Sequence, residues 1–566
     1  MWRKPEAKFA AVPGGRAADI VQASEPAGAS RMKFAPASLF APLALLASPA
    51  TAQVVVDNDL LERDLTILAA DDMEGREAGT RGHERAAGYV AGRMAALGLE
   101  PAGDNGTYFQ HVPLRTYSAA ESGNTISIEG MDALVPEVDF VVRGGPQVQS
   151  GTVTAPLVFV GYALDMPGYD SFEGVDLEGA IAVRVRGGPV SLNSEEAAHF
   201  QSSTNQRLSD RGAIGVLTLF TPSMAETFGW DWLVGYLSHS SSMTWIGPDG
   251  MAFSQGPNIA GSGYLSEDIS RALLDGQQFD FDDLAAAEES DVASLPSFAL
   301  DRSATITFAS EFDDIDSPNV IGMIPGSDPA LADEYVVLTA HLDHVGIQPT
   351  EEVGDDEIFN GALDNAVGVA SMLEVSRLLM ETPAARPFLV VALTAEEKGL
   401  IGSSYHARNQ GLATGQIIAN VNLDMPVVTY DFQDVVAFGA ERSTLYPAVR
   451  SAAEEYGLTL SPDPQPEQGF FTRSDQYSYV IAGIPAVYLD LGFANGGEVA
   501  QAVVFSEHYH QPSDEIGLID FGGLARFTGV NYLIARNVGN MAERPAWLPG
   551  DFFGMTFGGA PAAPAE

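Results

Sequence analysis

The sequence of 566 residues contains no cysteine, which excludes disulfides, thiolate metal ligands, a cysteine nucleophile and lipid attachment through a thiol. Any transition-metal site must therefore be built from histidine and carboxylate. Positive charge is scarce: 29 Lys and Arg stand against 76 Asp and Glu, a formal net charge of −47. With no basic stripe to displace counterions, the composition argues against a nucleic-acid partner. The acidity reads as a solvated, soluble surface that concentrates cations only weakly. Long hydrophobic runs are also missing: the apolar stretch Leu39 to Ala47 is too short to anchor the chain across a bilayer, so no stable membrane anchor is expected.

That stretch belongs to a leader. Met32 to Gln53 reads MKFAPASLFAPLALLASPATAQ, with Lys33 as a short basic region and Ala50-Thr51-Ala52 as an A-x-A cleavage signal. This predicts a periplasmic or secreted protein. Residues 1–31, rich in Ala, Gly and charge, read as disordered, and Met32 is a candidate true start; residues 1–52 are set aside from the fold.

The remainder is too long for one core and predicts two or three domains. Residues 53–120 open with helical patterns, DLLERDLTILAADD and then a helix through Ala86, Ala87, Val90, Met94 and Leu97 closed by Gly98. Residues 121–300 are β-rich with many Gly and Ser, few long helices, and strand-like pieces TVTAPLVFVGYA, GAIAVRVRG and GAIGVLTLF. From 301 to 545 strands and helices alternate: YVVLTAH, NAVGVASMLEVSRLLMET, PFLVVALTA, GSSYHARNQ, IIANVNLDM, STLYPAVRSAAEEYG, IPAVYLDL and a closing helix RFTGVNYLIARNVGNMAE. Continuous Val/Ile/Leu strands between amphipathic helices predict an α/β fold with a mostly parallel sheet covered on both faces, into whose chain a smaller β-rich domain is inserted. Residues 546–566, rich in Pro, Gly and Ala, read as a flexible tail.

Five segments of the last 230 or so residues place carboxylates or imidazoles beside apolar runs: VVLTAHLDH, GALDNAVG, VVALTAEEKG, IIANVNLDM and EHYHQPSDE. Ligands of open α/β sheets bind beyond the carboxyl ends of the strands. His341, Glu396, Glu397 and Asp424 follow strand-like runs, and Asp364 lies in a loop before a helix at the same edge. Each alone has an ordinary reading. Asp364 could be a helix N-cap, Glu396-Glu397 a dipole-favoured helix start, and His344 a solvated loop residue. Together, so many like charges in one crevice would be strongly unfavourable without cations.

On AHLDHVG, NGALDNAVGVA, TAEEKGLIGS, NLDM and YHQPSD, in this order and approximate spacing, the chain resembles the zinc exopeptidases of peptidase family M28, chiefly aminopeptidases with two co-catalytic zinc ions. The resemblance covers most of 58–545, with residues 150–295 similar to an inserted protease-associated domain. It implies a secreted metallo-aminopeptidase acting on peptides. His341 and Asp424 would hold one zinc, Glu397 and His510 the other, and Asp364 would bridge them. Glu396 would be the general base. Asp343 would orient His341, Asp514 would steady the loop carrying His510, and Tyr509 would either hydrogen-bond the tetrahedral intermediate or only pack. The family pattern, Tyr-His with Asp four residues on, selects His510 over His508. RSDQ departs from it, with Gln476 where a His is usual. Three alternatives are a one-zinc glutaminyl cyclase, a carboxypeptidase using Arg473 to meet a free carboxylate, and a catalytically inactive peptide-binding protein.

Overall fold

The structure, a computed structural model, describes residues 54–558 apart from 167, 190–191, 291–294, 350–355 and 413–414. The leader read over residues 1–52 lies outside the described residues, as does the end of the tail from 559. Among the described residues no helix is long and apolar enough to cross a membrane.

The N-terminal helices form where their patterns predict. α1 (Asn58–Leu68) is capped by the Asp57 side chain, and α2 (Arg81–Leu97) by Thr80. α2 ends at Gly98, whose φ of 85° is left-handed backbone that glycine adopts without a Cβ clash. The Ala86, Ala87, Val90 and Met94 stripe is buried.

Strands β1 (Phe109–Ala119), β2 (Ser150–Phe159), β3 (Ile181–Val185), β4 (Gly215–Leu219) and β5 (Gly261–Leu265) precede β6 (Phe298–Ile324), a strand of 27 residues. The early part of β6 pairs antiparallel with β2, beyond which β3, β4 and β5 continue in parallel. Its middle pairs with β1, and its last residues enter a second region of sheet. One strand thus connects the Gly/Ser-rich sheet to the sheet that follows. The sequence boundary near 300 falls inside it, because a strand alternating between buried and solvated faces carries no break where its partners change.

The later region uses β7 (Glu334–His341), β8 (Phe388–Leu393), β9 (Gln416–Asn422), β10 (Asp434–Phe438), β11 (Thr459–Ser461) and β12 (Ala486–Leu491). Their order is β11-β10-β12-β9-β7-β8-β6. The central run β12-β9-β7-β8 is parallel, and antiparallel pairing enters where β10 meets β12 and where β8 meets β6. β8 and β12 are buried along their whole length, as a doubly covered parallel sheet requires. Helices α3 (Val367–Glu381), α4 (Ile401–Arg408), α5 (Gln476–Ile481) and α6 (Phe521–Gly539) supply the cover. β10 was not among the predicted strands; its DVVAF run is too short to separate from a loop by pattern.

The tail is a correction. Residues 546–558, expected to be loose, include the helix Phe552–Phe557. Phe553 is fully buried against Phe471, Tyr477 and His199. Its aromatic content, which Pro/Gly/Ala counting ignores, outweighs the cost of ordering the segment.

Where α4 meets α5, His406 is wholly buried and its Nδ1 lies 2.7 Å from the Tyr479 hydroxyl. Burial pushes the imidazole from 6.5 down to about 4. Unfolding exposes it, so between these values the unfolded chain binds more protons and stability falls as pH falls. The lost stability is about 2 kcal/mol from pH 7 to pH 5. His406→Gln should therefore show a smaller drop in unfolding free energy than the parent over that interval, measured by denaturant titration at both pH values. Equal drops would remove His406 from the acid sensitivity.

Candidate metal centre

His341 is the last residue of β7 and pairs in register with Leu393 at the end of β8; Asn422, ending β9, lies opposite Thr339. The parallel ends are thus level, and Glu396, Glu397 and Asp424 emerge just past them. Backbone at these turns is left-handed at Ala395 (φ 55°), before Glu396, at Met425 (φ 36°), after Asp424, and at His510 itself (φ 54°). Each costs on the order of 1 kcal/mol and persists only because surrounding contacts impose it. Gly361 (φ 55°) opens the Asp364 turn, and a Cβ there would collide with the Asp364 carbonyl and the His344 ring.

Asp364 stands between two sets of donors. Its Oδ1 lies 3.3 Å from His341 Nε2, which is 2.9 Å from Asp424 Oδ1. Its Oδ2 lies 3.1 Å from His510 Nε2, itself 3.0 Å from Glu397 Oε2. The potential ligand atoms of His341, Asp364 and Asp424 all lie within 4.8 Å of one another, as do those of His344, Asp364, Glu397 and His510.

The electrostatics ask for cations. Burial disfavours a charged His341, yet Asp424 and Glu396 outweigh it and hold its pKa well above the usual imidazole value. His510 is pushed up to about 10, burial being outweighed by Glu397 and Asp364. Burial opposes ionisation of Asp364 too, but His341 and His510 hold its pKa well below the usual carboxylate range. Metal binding at these imidazoles would displace their protons. The His510 geometry favours that exchange. Its Nε2 is buried and close to two carboxylate oxygens but lies in no hydrogen bond with either. Such nitrogen and oxygen donors suit zinc.

His344 corrects the reading of a solvated loop residue. It is fully buried, with Nδ1 2.8 Å from Glu397 Oε1 and Nε2 without a hydrogen-bond partner among the described residues. Its place three residues after His341 was the available signal. Only the folding of this loop against Arg76, whose carbonyl accepts from His344 N at 3.4 Å, buries the ring.

Arg76 went unnoticed in the sequence. Its buried guanidinium donates to the carbonyls of Leu68, Leu342, Asn360 and Gly361 at 2.6–2.9 Å, tying the loops that carry Asp343 and Asp364. Asn365 was likewise given no role; its amide oxygen accepts from Gly368 N and Met425 N, and its nitrogen donates to Leu423 O, joining the Asp364 turn to the Asp424 turn.

The other named residues are placed as follows. Asp343 meets His341 through its backbone carbonyl, 3.1 Å from Nδ1, while its carboxylate accepts the amides of Glu396 at 3.1 Å and Glu397 at 3.3 Å. Asp514 accepts from the amides of Leu363 and Asp364, fastening the Asp364 turn to the segment that carries His510. His508 lies outside both donor sets and pairs with Ser513 at 2.9 Å. Tyr509 stacks on His510 with ring centroids 3.9 Å apart. Its hydroxyl bonds to no described residue, and burial together with Asp364, Glu397 and Glu396 raises its pKa, so it keeps its proton. The Glu396 carboxylate also makes no hydrogen bond among the described residues, and burial raises its pKa well above the usual value. Gln476 is buried, accepting from Asn422 Nδ2 at 2.8 Å and donating to Phe471 O at 2.9 Å. Asn422 also donates to Ser474 Oγ, and Ser474 donates to Asp424, so this polar chain fixes a candidate ligand.

Residues 319–534 match the model of Peptidase family M28. The chain is 30% identical over 209 residues to Aminopeptidase YwaD of Bacillus subtilis, a match covering 35% of this chain and 40% of that protein. It is 25% identical over 256 residues to Aminopeptidase Y of Saccharomyces cerevisiae, covering 43% of this chain and 42% of that one. The chain thus spans less than half the length of these curated relatives. Among solved structures it is similar to the aminopeptidase from Aneurinibacillus sp. strain AM-1, with a TM-score of 0.45, 19% identity, and coverage of 85% of this chain and 93% of that chain.

Proposed function

Taking residues 319–534 as a Peptidase family M28 domain, we propose that this protein is an exported aminopeptidase that removes N-terminal residues from peptides with two zinc ions. One observation carries the reading. The two oxygens of Asp364 face separate donor sets, with the Glu396 carboxylate, free of hydrogen bonds to described residues, close enough to feel His341, Asp424 and Glu397. The aminopeptidase names of the relatives add support.

Bound at these sets, zinc would polarise the scissile carbonyl and supply a nucleophilic water at neutral pH. His341 and Asp424 would hold one ion, Glu397 and His510 the other, with Asp364 offering one oxygen to each set. Glu396 takes the proton released on attack and returns it to the leaving amine. The Tyr509 hydroxyl, which keeps its proton, donates toward the substrate oxygen. The acidic lining receives the free α-ammonium. Residues 121–300 act as a protease-associated domain that limits the cleft to short or flexible chains. This is supported by helix Ser194–Ser202, where Glu195 pairs with Arg442 and His199 Nδ1 lies 2.7 Å from the Tyr477 hydroxyl. Export rests on the leader read from Met32 to Gln53.

Zinc-loaded protein should cleave unblocked peptides, leave their N-acetylated forms intact, and lose activity to a chelator. Cleavage of both forms at equal rates would refute the aminopeptidase assignment; cleavage of neither would put the peptide-binding alternative ahead.

A further inference from the structure

Arg473 is anomalous in this molecule. With 76 acidic residues against 29 basic ones, a cation has partners in plenty. Arg473 is nonetheless exposed, and its guanidinium takes part in no ion pair or hydrogen bond among the described residues; only its backbone N–H donates, to Phe470 O at 3.1 Å. The guanidinium rests on an aromatic face, its carbon 5.4 Å from the centre of the Phe470 ring.

Two independent paths lead from Arg473 to the candidate metal centre. Along the chain, the next residue is Ser474, whose hydroxyl donates to Asp424. Through space, a row of rings runs from Phe470 to Phe505 (6.1 Å), from Phe505 to Tyr509 (5.4 Å), and from Tyr509 to His510 (3.9 Å). Phe470, Phe505 and Tyr509 are all part-exposed, so the row is a wall and not core.

The chemistry follows from this position. A cleft lined by acidic side chains attracts the α-ammonium of a peptide and repels any carboxylate that enters behind it. A guanidinium resting on Phe470 keeps its N–H edge free, and that planar fork matches a carboxylate in bidentate geometry. We propose that Arg473 is a specificity-determining residue that binds a substrate carboxylate near the scissile bond, and so favours short peptides that carry one. The proposal rests on the aminopeptidase reading. The carboxylate has two sources, the free C-terminus of a dipeptide or an acidic side chain after the cleaved bond.

Three substrates separate these: Leu-Leu, Leu-Leu amide and Leu-Asp amide, each hydrolysed by zinc-loaded full-length wild type, Arg473→Gln and Arg473→Lys. Wild type should favour at least one carboxylate-bearing substrate over Leu-Leu amide by about tenfold in kcat/KM, the scale of one charge-assisted pair. Preference for Leu-Leu identifies the C-terminus, and preference for Leu-Asp amide the side chain. In Arg473→Gln the ratio should fall to near one, and Arg473→Lys should restore part of it. A structural role would change all three rates together and leave the ratios intact. Arg473 is exposed and its removal strands no partner, so the variants should unfold at the wild-type temperature. Hydrolysis with ratios that are flat in wild type, or unchanged in Arg473→Gln, overturns this proposal and leaves the aminopeptidase reading standing. Failure of wild type on all three substrates overturns both.

Discussion

Glu396→Gln should leave zinc bound and lower kcat on the order of 10³-fold, about 4 kcal/mol of barrier. The prediction follows from the different tasks of two adjacent glutamates. Glu397 faces the imidazoles: its oxygens lie 2.8 Å from His344 Nδ1 and 3.0 Å from His510 Nε2. Glu396 contributes to neither donor set. Its amide is held by the Asp343 carboxylate while its own carboxylate bonds to no described residue. Glutamine at 396 keeps the size and that backbone bond but cannot accept a proton, so the loss should fall on kcat with little change in KM. Elemental analysis of the variant should give the wild-type metal content. Activity within threefold of wild type would show that the proton goes elsewhere, and loss of metal would show that Glu396 is a ligand.

Asp364→Asn should have a comparable effect for a different reason. One carboxylate serves two sets of donors through its two oxygens, and an amide replaces one oxygen with an NH₂ group that repels a cation. The variant should retain at most one zinc per chain after dialysis and lose at least 10³-fold in activity, about 4 kcal/mol in barrier terms. Stability should follow the metal. An ion present at a thousand times its dissociation constant stabilises the folded chain by about 4 kcal/mol. A chelator should therefore lower the unfolding temperature of the wild type markedly and that of Asp364→Asn far less. Two zinc ions retained by the variant would refute the shared-ligand assignment. One zinc per chain in the wild type would replace the two-ion reading with the one-ion alternative.

The elements that carry this chemistry are locally encoded. An all-apolar strand followed by a polar turn, as in VVLTAH or VVALTAEE, needs only its own residues to declare both the strand and the group at its end. Gly98 announces a helix end for the same kind of reason, since only local backbone geometry is at stake. Features that depend on partners far along the chain were not legible. His344 is buried because a loop starting near residue 70 folds over it, and Arg76 ties the site's loops together only because three carbonyls from distant segments, those of Leu342, Asn360 and Gly361, meet it. Nothing in GREAG distinguishes that arginine from a solvated one. Phe553 is buried because aromatic rings from distant parts of the chain, His199, Phe471 and Tyr477 among them, close around it.

By itself the sequence determined the parallel strands, the acids and imidazoles at their ends, and, through order and spacing, the family they resemble. These are properties of residues a few positions apart, set by periodicity and side-chain type. Tertiary structure alone decided that each oxygen of Asp364 turns toward a different donor set, that His344 joins one of them, that Gln476 is spent on holding Asn422, and that the Phe470 ring on which Arg473 rests meets Phe505 and, through it, Tyr509. Those facts are distances between segments separated by tens to hundreds of residues. Such distances come from the packing of the whole chain, and no local pattern carries them.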